Sequence, residues 1–337
     1  MLLRIKGAVE EANTLINNLE IRNFKSIKSL DLNFARINLF IGSPNTGKSN
    51  ILESFGLLSF INYGAIKDFV RIESMTDLFF DENLDEKITI KADEKVLDIT
   101  FEGEQFIGRC IEKGLNDDVA FSFNYDYEGH GTSNAPKEAH PIKLYKFSSQ
   151  IDYRLKHADF LRPPFGANLY TVLRTNKKLR DEAIKVFEPF GLKLVFKHQE
   201  GKIEIMKQQE DFIVTYPYFL TSDTLQRIIF YLAAIDSNND SILVFEEPES
   251  HTFPYYTKML GEKIAFDKRN QYFIATHNPY LLLAILEKAN KESVNVFVTY
   301  YNKDYQTKAK RLTEGQISEL MNYDPFFNLD GFIGEDA

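Results

Sequence analysis

The run Gly42-Ser43-Pro44-Asn45-Thr46-Gly47-Lys48-Ser49 has the spacing G-x-x-x-x-G-K-[ST]. Glycines let the backbone turn its N–H groups inward around a polyphosphate. A helix starting at the loop points its positive end at the same anion. In this pattern Lys48 bridges the β- and γ-phosphates and Ser49 ligates Mg²⁺. Gly42, Asn45, Thr46, Gly47 and Asn50 complete the candidate nucleotide-binding set. ATP and Mg²⁺ are the expected cofactors.

Far downstream, Ser241-Ile242-Leu243-Val244-Phe245-Glu246-Glu247 runs four apolar residues into two carboxylates. Acids at the end of a buried strand cost free energy unless a cation pairs with them. Mg²⁺ held with the nucleotide is the expected partner of Glu246. Glu247 is then placed to take a proton from an attacking water. In Ile274-Ala275-Thr276-His277-Asn278 a histidine follows the next apolar strand, where parallel strand ends form a ligand crevice. His277 and Lys48 join Glu247 as candidate catalytic residues. In Leu220-Thr221-Ser222-Asp223-Thr224-Leu225-Gln226-Arg227, Ser222 reads as a helix N-cap and Asp223 suits the first turn.

The elements that position these groups follow from periodicity. Strands are expected at Leu19–Ile21, Leu30–Phe34 and the nearly all-apolar Ile37–Ile41, followed by a helix from Lys48 to Phe60. Further strands are expected at Ile88–Ile90, Val96–Phe101 and Val119–Phe123, then a Gly/Pro-rich loop over 126–141. A helical stretch over 167–190 precedes strands at Lys193–Lys197 and Lys202–Met206. From 222 onward helices and strands alternate: Thr224–Asp236, Ser241–Phe245, Tyr255–Phe266, Gln271–Ala275, Pro279–Lys288 and Val294–Tyr300. Such alternation predicts a parallel sheet wrapped by helices. The expected organisation is an N-terminal lobe (1–101), an inserted α+β arm (102–215) and a C-terminal lobe (216–337).

With 337 residues, 44% hydrophobic and 26% charged, the chain can bury a substantial core without covalent staples. The net charge of −9 argues against indiscriminate coating of nucleic acid. Cys110 stands alone, which excludes an internal disulfide and a four-cysteine zinc site. Apolar runs are far shorter than the roughly 20 residues a spanning helix needs, and the stretch Met1–Glu11, with Glu10 and Glu11, is not expected to be a secretory leader. A cytoplasmic protein without a membrane partner is expected.

Phosphate loop, long insertion, Ser-led helix, double acid, strand-end histidine: this order resembles the ABC-type ATPase heads of the SMC, RecF and OLD (overcoming lysogenization defect) proteins. It is most similar to stand-alone AAA-type relatives of the OLD ATPase. Leu19-Glu20-Ile21-Arg22-Asn23-Phe24-Lys25-Ser26 resembles the family's opening strand, and Glu246-Glu247-Pro248-Glu249 with His251 and Pro254 its acidic motif. The similarity spans roughly 18 to 60 and 218 to 300, and weakly Leu161 to Leu169. It implies a P-loop fold with an ABC-type head, in which two subunits sandwich two ATP molecules. Ser222 then reaches the nucleotide bound by the second subunit.

Three positions depart from the pattern. Thr224 stands where the family has Gly. Pro44 stands where SMC heads have Asn, with Asn45 beside it. Glu246 replaces the Asp of transporters. Gln105 and Gln150 are both open as the glutamine-loop residue. With about 37 residues after Tyr300 no Toprim nuclease domain is expected, and a separate protein effector is, in DNA repair or phage defence. The expected activity is Mg-dependent ATP hydrolysis by a homodimer or higher homo-oligomer. Two alternatives stay open: an ATP-binding clamp with little hydrolysis, and a small-molecule phosphotransferase. DNA is a further candidate partner through Arg174, Lys177, Lys178 and Arg180.

Overall fold

The computed structural model describes residues 15–112, 118–135, 139–153, 155–210, 212–322, 326 and 329–333. In chain order, β1 (Asn18–Phe24), β2 (Ile27–Asn33) and β3 (Ile37–Gly42) lead into α1 (Lys48–Ser59) and α2 (Ile66–Phe69). There follow β4 (Ile88–Ala92), β5 (Lys95–Glu102), β6 (Gln105–Glu112), β7 (Asp118–Tyr125), β8 (Gly131–Asn134) and β9 (Ile142–Tyr145). Next come α3 (Leu169–Thr175), α4 (Lys177–Phe187), β10 (Leu192–Lys197), β11 (Lys202–Gln209) and β12 (Phe212–Pro217). The remainder is α5 (Asp223–Asp236), β13 (Ile242–Glu246), α6 (Pro254–Phe266), β14 (Gln271–Ala275) and α7 (Pro279–Lys288). It ends with β15 (Val294–Tyr301), β16 (Thr307–Arg311), α8 (Glu314–Asn322) and α9 (Asp330–Ile333).

Among the described residues the strands form three sheets. The central one has the order β16-β15-β3-β14-β13-β9, and all of it except β16 runs parallel. Its side chains alternate between two cores. Ile37, Leu39 and Ile41 face the core built with helices α3 to α7. Phe40, Val244 and Phe273 face the core shared with α1 and the antiparallel sheet β2-β1-β4-β5-β6-β7-β8. Each large side chain buried this way gains about 1.5–3 kcal/mol over exposure. A one-residue slip would exchange the two faces, so the register is pinned from both sides. The register then aligns Thr299 with Gly42, Phe40 with Ala275, Ala275 with Glu246, and Phe245 with Tyr145. The phosphate loop, the double acid and the histidine thus leave one edge of one sheet.

Several elements escape the sequence pattern. The stretch expected as loop contains β8, whose four residues are all exposed and carry no alternation. The expected helix over 167–190 is two helices, because Asn176 leaves helical geometry and caps α4 through Leu179 N (3.1 Å). β6, β9, β12 and β16 were not expected either. β9 (Ile-Lys-Leu-Tyr) is too short for a periodicity, yet it pairs with β13. Residue 101 lies inside β5, which pairs with β6 in the antiparallel sheet. No helix among the described residues is long and apolar enough to cross a membrane.

Candidate functional site

The phosphate loop is held open by its own backbone geometry. Gly42 (φ +148°), Asn45 (φ +64°) and Gly47 (φ +91°) lie in the region that L side chains avoid. The glycines also allow close packing. A Cβ at Gly42 would approach the Thr299 carbonyl oxygen to 2.5 Å, and one at Gly47 would strike the Thr307 side chain, with Cγ2 at 2.7 Å. Thr46 Oγ1 bonds the Ser43 carbonyl (2.9 Å) and lies 2.7 Å from Thr299 Oγ1. Strands β15 and β16 therefore shape the loop from beneath.

Lys48 opens α1 and is almost fully buried. Its Nζ donates to the Gly42 and Ser43 carbonyls at 3.0 and 2.9 Å. Among the described residues no carboxylate lies in ion-pair range of it. Burial pulls its pKa down to about 8, against an opposing pull from Glu247. A buried cation that meets only carbonyls, at the amino end of a 12-residue helix, fits a polyphosphate anion. Ser49 follows at the helix start and is half-buried. Asn50 points elsewhere: its amide donates to Ser26 Oγ (2.7 Å), which lies 2.6 Å from Thr307 Oγ1.

At the end of β13 the two acids part. Glu246 Oε1 lies 3.3 Å from Arg71 Nη2. Arg71 Nε also meets Glu53 Oε1 (2.8 Å), and Lys25 Nζ meets Glu53 Oε2 (2.5 Å). Glu53, on α1, is 1% exposed. Lys146, just past β9, is held below the ordinary lysine pKa by burial, against the pull of Glu53 and Glu246. The strand-end acid thus has protein cations beside it, which the sequence reading assigned to Mg²⁺ alone. Arg71, Lys25, Glu53 and Lys146 belong to no recognisable spacing and were not anticipated. Folding alone gathers them.

Glu247 takes a positive φ (43°), an uncommon and strained choice for a residue with a Cβ. Its N–H donates to the Ala275 carbonyl (2.9 Å), and Ser250 Oγ donates to its Oε2 (3.0 Å). His277 Nε2 lies 3.6 Å from Glu247 Oε1. Burial, then the Lys48 charge, lower the histidine pKa, so the neutral ring is favoured near pH 7. Thr276 Oγ1 donates to Glu249 Oε1 (2.5 Å), and burial lifts the Glu249 pKa to about 7. Asn278 caps α7 through Tyr280 N (2.9 Å) and Leu281 N (3.3 Å).

Ser222 occupies the N-cap of α5 by position, but its side chain makes no cap bond and the residue is exposed. Thr224 Oγ1 donates to the His251 carbonyl (2.8 Å), tying α5 to the turn after the double acid. Gln105 starts β6 and accepts from Asn124 (2.6 Å) on the antiparallel sheet. Gln150 follows β9 and donates to the Ser148 carbonyl (3.4 Å). Arg174, Lys177 and Lys178 are exposed on α3 and α4, while Arg180 donates to the Arg174 carbonyl (2.6 Å).

A family model described as an AAA ATPase domain matches residues 15–162. No curated protein matches the chain. Among solved structures, an SMC head bound to the C-winged helix domain of ScpA aligns at TM-score 0.52 and 16% identity, over 89% of this chain and 99% of that one. The Pyrococcus furiosus Smc head bound to the C-terminal domain of ScpA gives TM-score 0.49 and 12% identity, over 91% and 98%. The SMC head from Thermotoga maritima gives 0.41 and 14%, over 88% and 99%. With the phosphate loop on its sheet edge, the chain has the fold of an SMC head, and its residues 15–162 match an AAA ATPase domain.

Proposed function

We propose that this chain binds Mg²⁺·ATP and hydrolyses it as a nucleotide-gated dimer that drives a separate effector. The observation that carries the reading is the convergence of Lys48, Glu247 and His277 on one sheet edge, with Glu247 3.6 Å from His277. Lys48 and the loop amides bind the β- and γ-phosphates. Ser49 and Glu246 hold the metal, which when bound screens phosphate charge. The Glu247 carboxylate takes a proton from water as the water oxygen bonds the γ-phosphorus and the bridge to the β-phosphate breaks. Neutral His277 orients that water and the γ-phosphate. ADP and phosphate leave.

The exposed, uncapped Ser222 hydroxyl supports a contact with the nucleotide of a second copy. The SMC head that aligns at TM-score 0.52 is bound to the C-winged helix domain of ScpA, which favours a protein effector for this chain too. DNA repair and phage defence are the proposed settings, in the cytoplasm, with DNA contacted through Arg174, Lys177 and Lys178. A phosphate-dominated contact would weaken steeply with salt. One observation favours a slower clamp: Thr224, with its hydroxyl engaged by His251, in place of glycine.

The test is the solution mass of Glu247→Gln protein with and without Mg²⁺·ATP. A shift from monomer to dimer that Lys48→Ala abolishes supports the gated dimer. Unchanged mass with ATP bound excludes it. A turnover already negligible in the parent and unaltered in Glu247→Gln supports the clamp.

A further inference from the structure

Glu249 lies two residues past the proposed base, yet its carboxylate is buried away from solvent. It is 4% exposed, and its Oε1 accepts from Thr276 Oγ1 (2.5 Å) and from His277 N (3.3 Å). Thr276 is itself fully buried, and its hydroxyl oxygen accepts from Asn278 N (3.0 Å). Asn278 in turn caps α7. One oxygen therefore gathers the whole turn that presents His277. At its other end, Glu249 belongs to the turn that presents Glu247: Ser250 N donates to the Glu247 carbonyl (3.0 Å) and Thr252 N to the Glu249 carbonyl (2.9 Å). Among the described residues Glu249 Oε2 has no hydrogen-bond partner. A buried acceptor left half-satisfied costs free energy that packing alone does not explain.

We infer that Glu249 is a positioning residue: it locks the His277 turn to the Glu247 turn and so fixes the spacing between histidine and base. The inference rests on the hydrolytic reading above. Both donors use Oε1, so a glutamine presenting Oε1 in the same place keeps the lock, and alanine removes it. Thr276→Val removes the same bond from the other side, together with the one Asn278 N makes to Thr276 Oγ1.

The test uses the full chain with Glu249→Ala, Glu249→Gln, Thr276→Val and the Ala/Val double variant. Single-turnover hydrolysis and the Kd for a fluorescent ATP analogue with Mg²⁺ are measured together. Misplacement of about an ångström costs on the order of 10²-fold in rate. Expected is a loss of that order in Glu249→Ala with Kd within about two-fold, restored by Glu249→Gln. The double variant should lose less than the product of the two single losses, because the Thr276–Glu249 bond is broken by both. The His277 imidazole resonance, followed by NMR without nucleotide, should move in Glu249→Ala and not in Glu249→Gln. An unmoved resonance and unchanged rate in Glu249→Ala overturn the inference, as does a Kd that rises in step with the rate loss. If Glu249→Ala fails to fold, Thr276→Val carries the same criteria. A parent protein with no turnover overturns the hydrolytic reading, while the resonance still decides whether Glu249 sets the histidine.

Discussion

Arg71 Nη2 stands 3.3 Å from Glu246 Oε1 while the same guanidinium holds Glu53 through Nε at 2.8 Å. The side chain of Arg71 is 61% exposed and that of Glu53 is 1%. One arginine thus serves a buried carboxylate and a half-buried one at the proposed metal side. Breaking a buried pair costs about 3–5 kcal/mol, and exposed pairs contribute about 1 kcal/mol or less. Given the exposure of Arg71, Arg71→Ala should cost about 1–2 kcal/mol. A double-mutant cycle by urea unfolding should show coupling to Glu53→Gln that exceeds coupling to Glu246→Gln.

Gly47→Ala places a methyl against Thr307 and forces alanine to φ +91°. Left-handed strain costs about 1–3 kcal/mol before the clash is counted. The variant should lose at least about 2 kcal/mol of stability and its ATP binding. Adding Thr307→Ala should recover part of the stability, because only the collision is relieved. Equal stability of the single and double variants would place the whole cost in the backbone.

Lys48 titrates near pH 8 in the folded chain, below the ordinary lysine value, because burial disfavours its charge. Phosphates restore the charge, so binding ATP at pH 8 should take up a substantial fraction of a proton. Calorimetry in two buffers of different ionisation enthalpy reads this directly. The uptake should fade toward pH 7, where the lysine is already protonated.

The Glu249 carboxyl is raised from the usual 4.5 to about 7, chiefly by burial. The folded state then holds this proton more tightly than the unfolded chain. The stabilisation is fully present below about pH 4.5 and is lost as pH rises through about 7. The melting temperature of the parent minus that of Glu249→Gln should therefore fall across this window and flatten above it. A difference independent of pH would mean that the carboxyl titrates normally.

Much of this protein was legible in its residues because the information was local. Gly42, Gly47 and Lys48 announce a strand–loop–helix unit through fixed spacing, and the apolar runs of β3, β13 and β14 need no partner to be read as buried strands. The acids and His277 followed because each sits where such a run stops. By contrast, β9 has four residues and no pattern of its own. It becomes a strand because β13 offers an unpaired edge. Thr299 and Thr307 look like ordinary strand threonines until the register sets them beneath the loop glycines. The same holds for Lys25, Glu53, Arg71 and Lys146, which distant parts of the chain contribute and which the fold gathers around the buried Glu53. The sequence alone determined which residues are proposed to handle a nucleotide, since that proposal is read from residue type and spacing. The tertiary structure decided what holds them in place, since partners far apart in the chain meet only once the sheet register and the two cores are fixed.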